Sequence, residues 1–256
     1  MSGFELIFGA ILIIVSAGLI AIFYALSKKR PSKRLRPIEA VENLKKSSGL
    51  SVEEGKRLHI SLGSASMISP QGASALAGLS VLERLSRAGI SSDNPPIATS
   101  GDSILSILSQ ETLKSSYRSG NALDSYAFDS ARLTGTTPFS YAVGTIPAIR
   151  DARVSTNIII GHLGPEAAFL TEAAEQQGSR LIAASDALEG QAVMYAAAQD
   201  PLLGEELFAL PAYLQFNPFH QASLKAQDIL RWVLIAALVG GAIYKVATTI
   251  LGGPVQ

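Results

Sequence analysis

The stretch Asn157–Gly178 reads NIIIGHLGPEAAFLTEAAEQQG, and its reading decides the fold. Three isoleucines in succession suit a strand buried on both faces, as in a parallel sheet covered by helices. Gly161, Gly164 and Pro165 then mark a turn, and the alanine-rich run behind them has helical composition and ends on Gly178. The expectation is a central strand over 158–160, a tight loop over 161–164 and a helix opened by Pro165. Glu166 is expected to face a cleft shared with Asp102 and Asp186.

Working outward, the same unit recurs: a short β-prone run, a loop of Gly, Ser, Thr or Asp, then a helix. LHISLG precedes SASMISPQG, with Ser69 placed to cap a helix and Pro70 at its first position. PPIATSGD leads into SILSILSQETLKSSY. ARLTGTTP sets Thr137 before Pro138 in the same arrangement, and Pro147 is read as limiting that helix. RLIAASDALEGQAVMYAAAQ gives Asp186 and Glu189 the spacing of a capping box. The loops begin near residues 63, 100, 135, 161 and 185, so successive units are 24 to 37 residues apart. That is the length of a βα repeat, without the fixed consensus of a solenoid. The predicted fold class is α/β: a Rossmann-like parallel sheet of about five strands with helices on both faces, flanked by two transmembrane helices.

The flanks are apolar. Residues 4–26 carry one charge, Glu5, and residues 230–251 form a second long run; each exceeds the ~20 residues that cross a hydrocarbon core. A cleaved signal peptide fits the first run poorly, because no Lys or Arg precedes it and no A-x-A site follows. SKKRPSKRLR follows instead, with Lys28, Lys29, Arg30, Lys33, Arg34 and Arg36. By the positive-inside rule the termini lie outside and the middle is cytoplasmic, in a two-pass protein of the cell membrane. Lys225 and Arg231 agree with this, while Trp232 and Tyr24 suit the interface. The basic run reads as a topology signal touching anionic lipid headgroups. The expected organisation is a transmembrane helix over 4–26, a basic juxtamembrane linker over 27–56 and a cytoplasmic domain over 57–215. A juxtamembrane helix over 216–229 and a transmembrane helix over 230–251 complete it. Small residues at Ala17 and Ala21, Ala236 and Gly240, and Ala237 and Gly241 give both spans close-approach faces, for each other or for further chains.

The 256 residues are 48% hydrophobic, carry 21 cations and 21 anions, and include no cysteine. Disulfides, thiolate metal sites and a cysteine nucleophile are thereby excluded, and nucleic acid is not an expected partner. RLHISLGSASM, ATSGDS, GHLGPEAAFLTEAA, SDALEGQAVMYAAAQDPLLGEELFALPAYL and SLKAQDILRW together resemble a family of uncharacterised bacterial membrane proteins over Arg57 to Trp232. The resemblance implies a membrane-anchored α/β domain. It carries no activity, so it supplies no catalytic residues.

In an open parallel sheet ligands bind beyond the strand carboxyl ends, where all five loops gather. The candidate ligand-binding residues are Gly63, Ser64, Ser100, Asp102, Thr136, His162, Gly164, Glu166 and Asp186. Small residues permit close backbone approach, and helix N-termini offer free N–H groups; equally, such turns use Gly, Ser and Thr for sterics and capping with no ligand at all. No G-x-G-x-x-G, G-x-S-x-G or H-E-x-x-H is present. Gly49–Lys56 (GLSVEEGK) resembles a P-loop but has one residue too many between its glycines and precedes a strand. The three carboxylates have a dipole-stabilising role open to them. They argue against a bare phosphate and for a hydroxyl-rich, cationic or metal-bridged ligand. No metal site is assigned, and the cofactor stays unknown. His162, beside Glu166, is the best candidate for acid–base work, set against a histidine that merely fills a loop. His59 alternates inside a strand and reads as packing or a buried polar contact.

Three functions follow. The cytoplasmic domain binds a small polar ligand or presents it at the membrane; or it is a scaffold subunit of a membrane assembly, as a homo-oligomer or with other membrane subunits; or it is an enzyme acting at the strand edge.

Overall fold

A computed structural model describes residues 3–29, 36–90, 92, 94–215 and 218–251. Arg30, Lys33 and Arg34 of the basic run lie outside these residues, as do Phe216 and Asn217 at the domain's end. The chain divides into two compact units, Leu35–Gln215 and the two terminal segments together.

The larger unit is a six-stranded sheet. Its strands are β1 (Arg57–Ser61), β2 (Ile97–Ser100), β3 (Ala131–Leu133), β4 (Val154–Gly161), β5 (Arg180–Ser185) and β6 (Asp200–Leu202). All pairings are parallel, in the order β3-β2-β1-β4-β5-β6. This is the order of doubly wound dinucleotide-binding sheets, whose switch point lies between β1 and β4. The opening stretch supplies β4, one of the two central strands, and Ile158, Ile159 and Ile160 are each fully buried. Burying each is worth about 2 kcal/mol, and their alternation sends Ile159 to one face and its neighbours to the other.

The sheet expected to have about five strands has six, the last being β6. Asp-Pro-Leu is short and contains a proline, which suits only an edge strand, and β6 is an edge strand. It carries no period-2 pattern long enough to be read.

Between the strands run α2 (Glu39–Glu53), α3 (Gly72–Gly89), α4 (Ser103–Ser119), α5 (Pro138–Ile149), α6 (Ala167–Gln177), α7 (Leu188–Ala197) and α8 (Glu206–Leu214), counting α1 as the N-terminal helix described below. On one face Ile60, Ile158, Ile160 and Ile182 meet Leu44 of α2, Val81 and Leu82 of α3, Leu113 of α4 and Leu210 of α8. On the other, Ile159, Leu181 and Ala183 meet Tyr141 and Ile149 of α5, Leu170 of α6 and Met194 of α7. The helix α2 is the short helix expected over 38–55 within the basic linker, yet its Ala40, Val41 and Leu44 belong to the core of the domain. Serines at 47, 48 and 51 continue its buried face.

Helix starts follow the sequence in part. Thr137 and Ser140 form a reciprocal capping box, and Asp102 caps α4 by accepting from Leu105 N–H at 2.9 Å. Gly178 closes α6 in the left-handed conformation, φ +67°. Ser69 and Pro70 instead lie in turns ahead of α3, whose N-cap is Gln71. Pro147 lies inside α5, which runs on to Ile149.

The smaller unit consists of α1 (Gly3–Lys29) and α9 (Pro218–Leu251), which pack on one another. Both are long and apolar enough to cross a membrane, with mean hydropathy 2.5 over Gly9–Leu26 and 1.8 over Pro218–Thr249. The segments expected as a juxtamembrane helix and a transmembrane helix at the C-terminal end are one continuous helix. Tyr24 and Phe219 meet edge to face at 6.1 Å between ring centroids. A Cβ at Gly18, Gly240 or Gly241 would meet nothing within 4 Å, so these small faces are not spent on the contact between α1 and α9.

Candidate functional site

The loops after β1, β2, β4 and β5 meet at the carboxyl edge through their backbones. Gly63 has φ +79°, and a Cβ there would lie 2.9 Å from His162 N. Gly161 has φ +150°, and its Cβ would fall 2.4 Å from Leu62 O. Both conformations need glycine, and both glycines are explained by one loop lying on the other. Ser64 N–H reaches His162 O at 3.4 Å, and Gly101 N–H donates to Gly63 O at 3.0 Å. The loop after β5 joins through Ser185. Its hydroxyl donates to Leu163 O at 2.8 Å and accepts from Leu163 N–H at 3.2 Å and Ala187 N–H at 3.1 Å. A Cβ at Gly190 of α7 would lie 2.0 Å from Leu163 O.

The donors that would cradle a phosphate are therefore engaged. Gly63 N–H donates to the Tyr141 hydroxyl at 3.1 Å, Gly164 N–H to Glu166 Oε1 at 2.9 Å and Leu105 N–H to Asp102. Tyr141 is fully buried, its hydroxyl also pairs with the Ser61 hydroxyl, and burial pushes its pKa up. A tyrosine near the start of α5, four residues past the Thr137 cap, carries no signal that its hydroxyl reaches a strand end, and sequence reasoning missed it. Ser185 was visible only as a loop residue.

Two expected groupings are corrected. The carboxylate beside His162 is Asp186, with Nδ1 and Oδ1 2.7 Å apart. Glu166 is only 4% exposed and folds back on Gly164 rather than facing a shared cleft. Asp186 is likewise not a helix cap, because α7 begins after Ala187 with no side-chain cap. Glu189, in the first turn of α7, lacks the cap it was read to complement. Of the other candidates, Ser100 is fully buried with its hydroxyl unpartnered among the described residues, and Thr136 is exposed. Ser64, Asp102, His162, Gly164 and Asp186 are half-buried.

The His162 side chain is 34% exposed and the Asp186 side chain 18%. With Nδ1 donating to the carboxylate, Nε2 is the imidazole atom left for a second molecule, as acceptor or, when charged, as donor. Large apolar side chains are also exposed along this edge. Each of five carboxyl-edge segments presents a large exposed side chain: Ile68 ahead of α3, Ile104 on α4, Phe139 on α5, Phe169 on α6 and Leu188 on α7. Ile68 is 85% exposed and Leu188 78%. Among the described residues no three His, Asp or Glu side chains are grouped to hold a metal ion.

The sequence profile of a domain of unknown function, DUF6754, matches residues 3–253. The chain belongs to the DUF6754 family. The match takes in both apolar helices and the whole α/β domain, so both units lie within the one family match. No curated protein and no solved structure matched the chain.

Proposed function

We propose that this DUF6754 protein is a two-pass protein of the cell membrane whose α/β domain is cytoplasmic and binds a small polar ligand at the β1/β4 switch point. The observation that carries the reading is the His162–Asp186 pair, half-exposed where the strand order reverses. The ligand is not a phosphate, because the N–H groups of Gly63, Leu105 and Gly164 already have acceptors and Asp102 and Asp186 place carboxylates there. A hydroxyl-rich or cationic molecule meets His162 Nε2 and the carboxylates without that conflict. Six cations before residue 37 and the length of both apolar helices support the orientation.

Thermal melts of the full-length protein in detergent, with and without nucleosides and polyamines, test this. The expected result is a ligand-dependent rise in melting temperature that His162→Ala removes. The absence of a shift from either class in the wild type would overturn the ligand reading.

One observation favours a second reading, a scaffold subunit. Five exposed apolar side chains around one edge are the kind of patch that marks a protein-binding surface. On that reading Leu188→Asp releases a co-purifying membrane subunit while leaving the melting temperature unchanged.

A further inference from the structure

The opposite edge of the sheet, at the strand amino ends, holds a cavity of about 370 Å³, within the range of small-molecule sites. Its floor is the start of β4, and its walls are the last turns of α2 and the Gly178–Arg180 segment between α6 and β5. The lining is rich in hydroxyls: Ser47 and Ser51 from α2, Ser155 and Thr156 from β4, and Ser179.

The backbone is irregular just here. Arg57 pairs with Val154 and Leu58 with Thr156, so Ser155 is an extra residue in β4 with no counterpart in β1. Bulges between parallel strands are rare, and they re-aim a side chain. This one brings Ser155 Oγ to 2.5 Å from Ser51 Oγ. Ser51 donates its only proton to Ser47 O at 2.7 Å, so Ser155 is the donor to Ser51 and keeps an accepting lone pair. Thr156 is 2% exposed and Ser47 7%, and neither hydroxyl has a hydrogen-bonding partner among the described residues.

Charge then selects the class of molecule. The P-loop-like stretch Gly49–Lys56 forms part of this wall, but as the end of a helix rather than the start of one. Glu54, Gly55 and Lys56 spend their N–H groups on the carbonyls of Leu50, Val52 and Ser51. The helix α6 also ends here, at Gly178, and two helix C-termini disfavour an anion. Lys56 lies 3.1 Å from Glu54, and Arg180 is held at 2.7 Å by Asp200, so neither cation is uncommitted.

We propose that this cavity binds a neutral polyhydroxylated molecule of the monosaccharide or cyclitol class, through the hydroxyls of Ser47, Ser155 and Thr156. The proposal is independent of any ligand at the carboxyl edge. Saturation-transfer NMR on the full-length protein, in a detergent without a sugar headgroup, tests it with glucose, galactose and myo-inositol as probes. The expected result is transfer to at least one probe, with affinity about tenfold weaker in the near-isosteric Thr156→Val and binding lost in Ser47→Met, which fills the cavity. Melting curves show whether each variant folds, and Thr156→Val alone decides should Ser47→Met not fold. No transfer to any of the three probes, or equal affinity in wild type and Thr156→Val, would overturn it.

Discussion

His59 shows how a polar residue can belong to a core. It is fully buried in β1, with Nδ1 2.7 Å from Asn157 Oδ1 and Nε2 2.9 Å from Thr99 Oγ1. Asn157 Nδ2 donates to Ser179 Oγ at 2.7 Å, so the amide oxygen faces the imidazole. That makes Nδ1 the donor and Nε2 the acceptor from Thr99, and the ring is neutral. Burial lowers its pKa from 6.5 to about 4. The folded chain therefore binds fewer protons than the unfolded one between these values, and stability rises with pH across that window. The contribution is fully present above pH 6.5 and is lost as pH falls toward 4, about 3 kcal/mol in all. Melting temperatures of the full-length protein measured from pH 7 to pH 4 should fall, and His59→Gln, lacking this titration, should flatten that part of the curve. An equal slope in the variant would assign the loss to other groups. The alternation with Leu58 and Ile60 made the buried position legible in the sequence. The partners were not, because Asn157 and Thr99 reach His59 only through strand pairing across distant segments.

At the level of elements, strands and loops were readable because each carries a local signal. Short β-prone runs ahead of Gly, Ser, Thr or Asp loops gave β1 to β5, and Thr137-Pro138 gave the start of α5. What was not readable is how loops lie on one another. The glycines of the carboxyl edge looked like room for a ligand, and the structure fills that room with backbone. Gly190 and Gly164 separate the two meanings. An added Cβ at Gly190 meets the Leu163 carbonyl, which is backbone, whereas at Gly164 it meets Glu166 Oε2 at 2.9 Å, the end of a flexible side chain. Gly190→Ala should cost about 2 kcal/mol by forcing α7 off the β4 loop, and Gly164→Ala less than about 1 kcal/mol. Denaturant midpoints of the two variants compare them directly, and equal losses would contradict this account. The His162–Asp186 pair belongs to the same unreadable class. Glu166 is nearer in sequence, but its carboxylate is consumed two residues away at Gly164.

For the whole molecule, sidedness is the feature most open to measurement, since the chain has no cysteine to interfere. Single cysteines at Ser2 and Gln256 should react with an impermeant maleimide on intact cells. One at Ser119, exposed at the end of α4, should react only after the membrane is opened. Labelling of Ser119→Cys in intact cells would reverse the orientation. The two long apolar helices were plain in the sequence from their length and hydropathy, whereas the membership of α2 in the α/β unit was not, because its buried face is half serine. The strand order has a further consequence during synthesis. The N-terminal half yields β1, β2 and β3 first, and β1 then waits with one edge unpaired until Val154–Gly161 has left the ribosome. Until then the nascent half-sheet offers an open parallel edge to any neighbouring strand, and helix α2, already made, covers only its face. Completion of β4 is thus the committing event of folding, and a ribosome stalled before residue 154 would hold a chain prone to pair with its neighbours on the polysome.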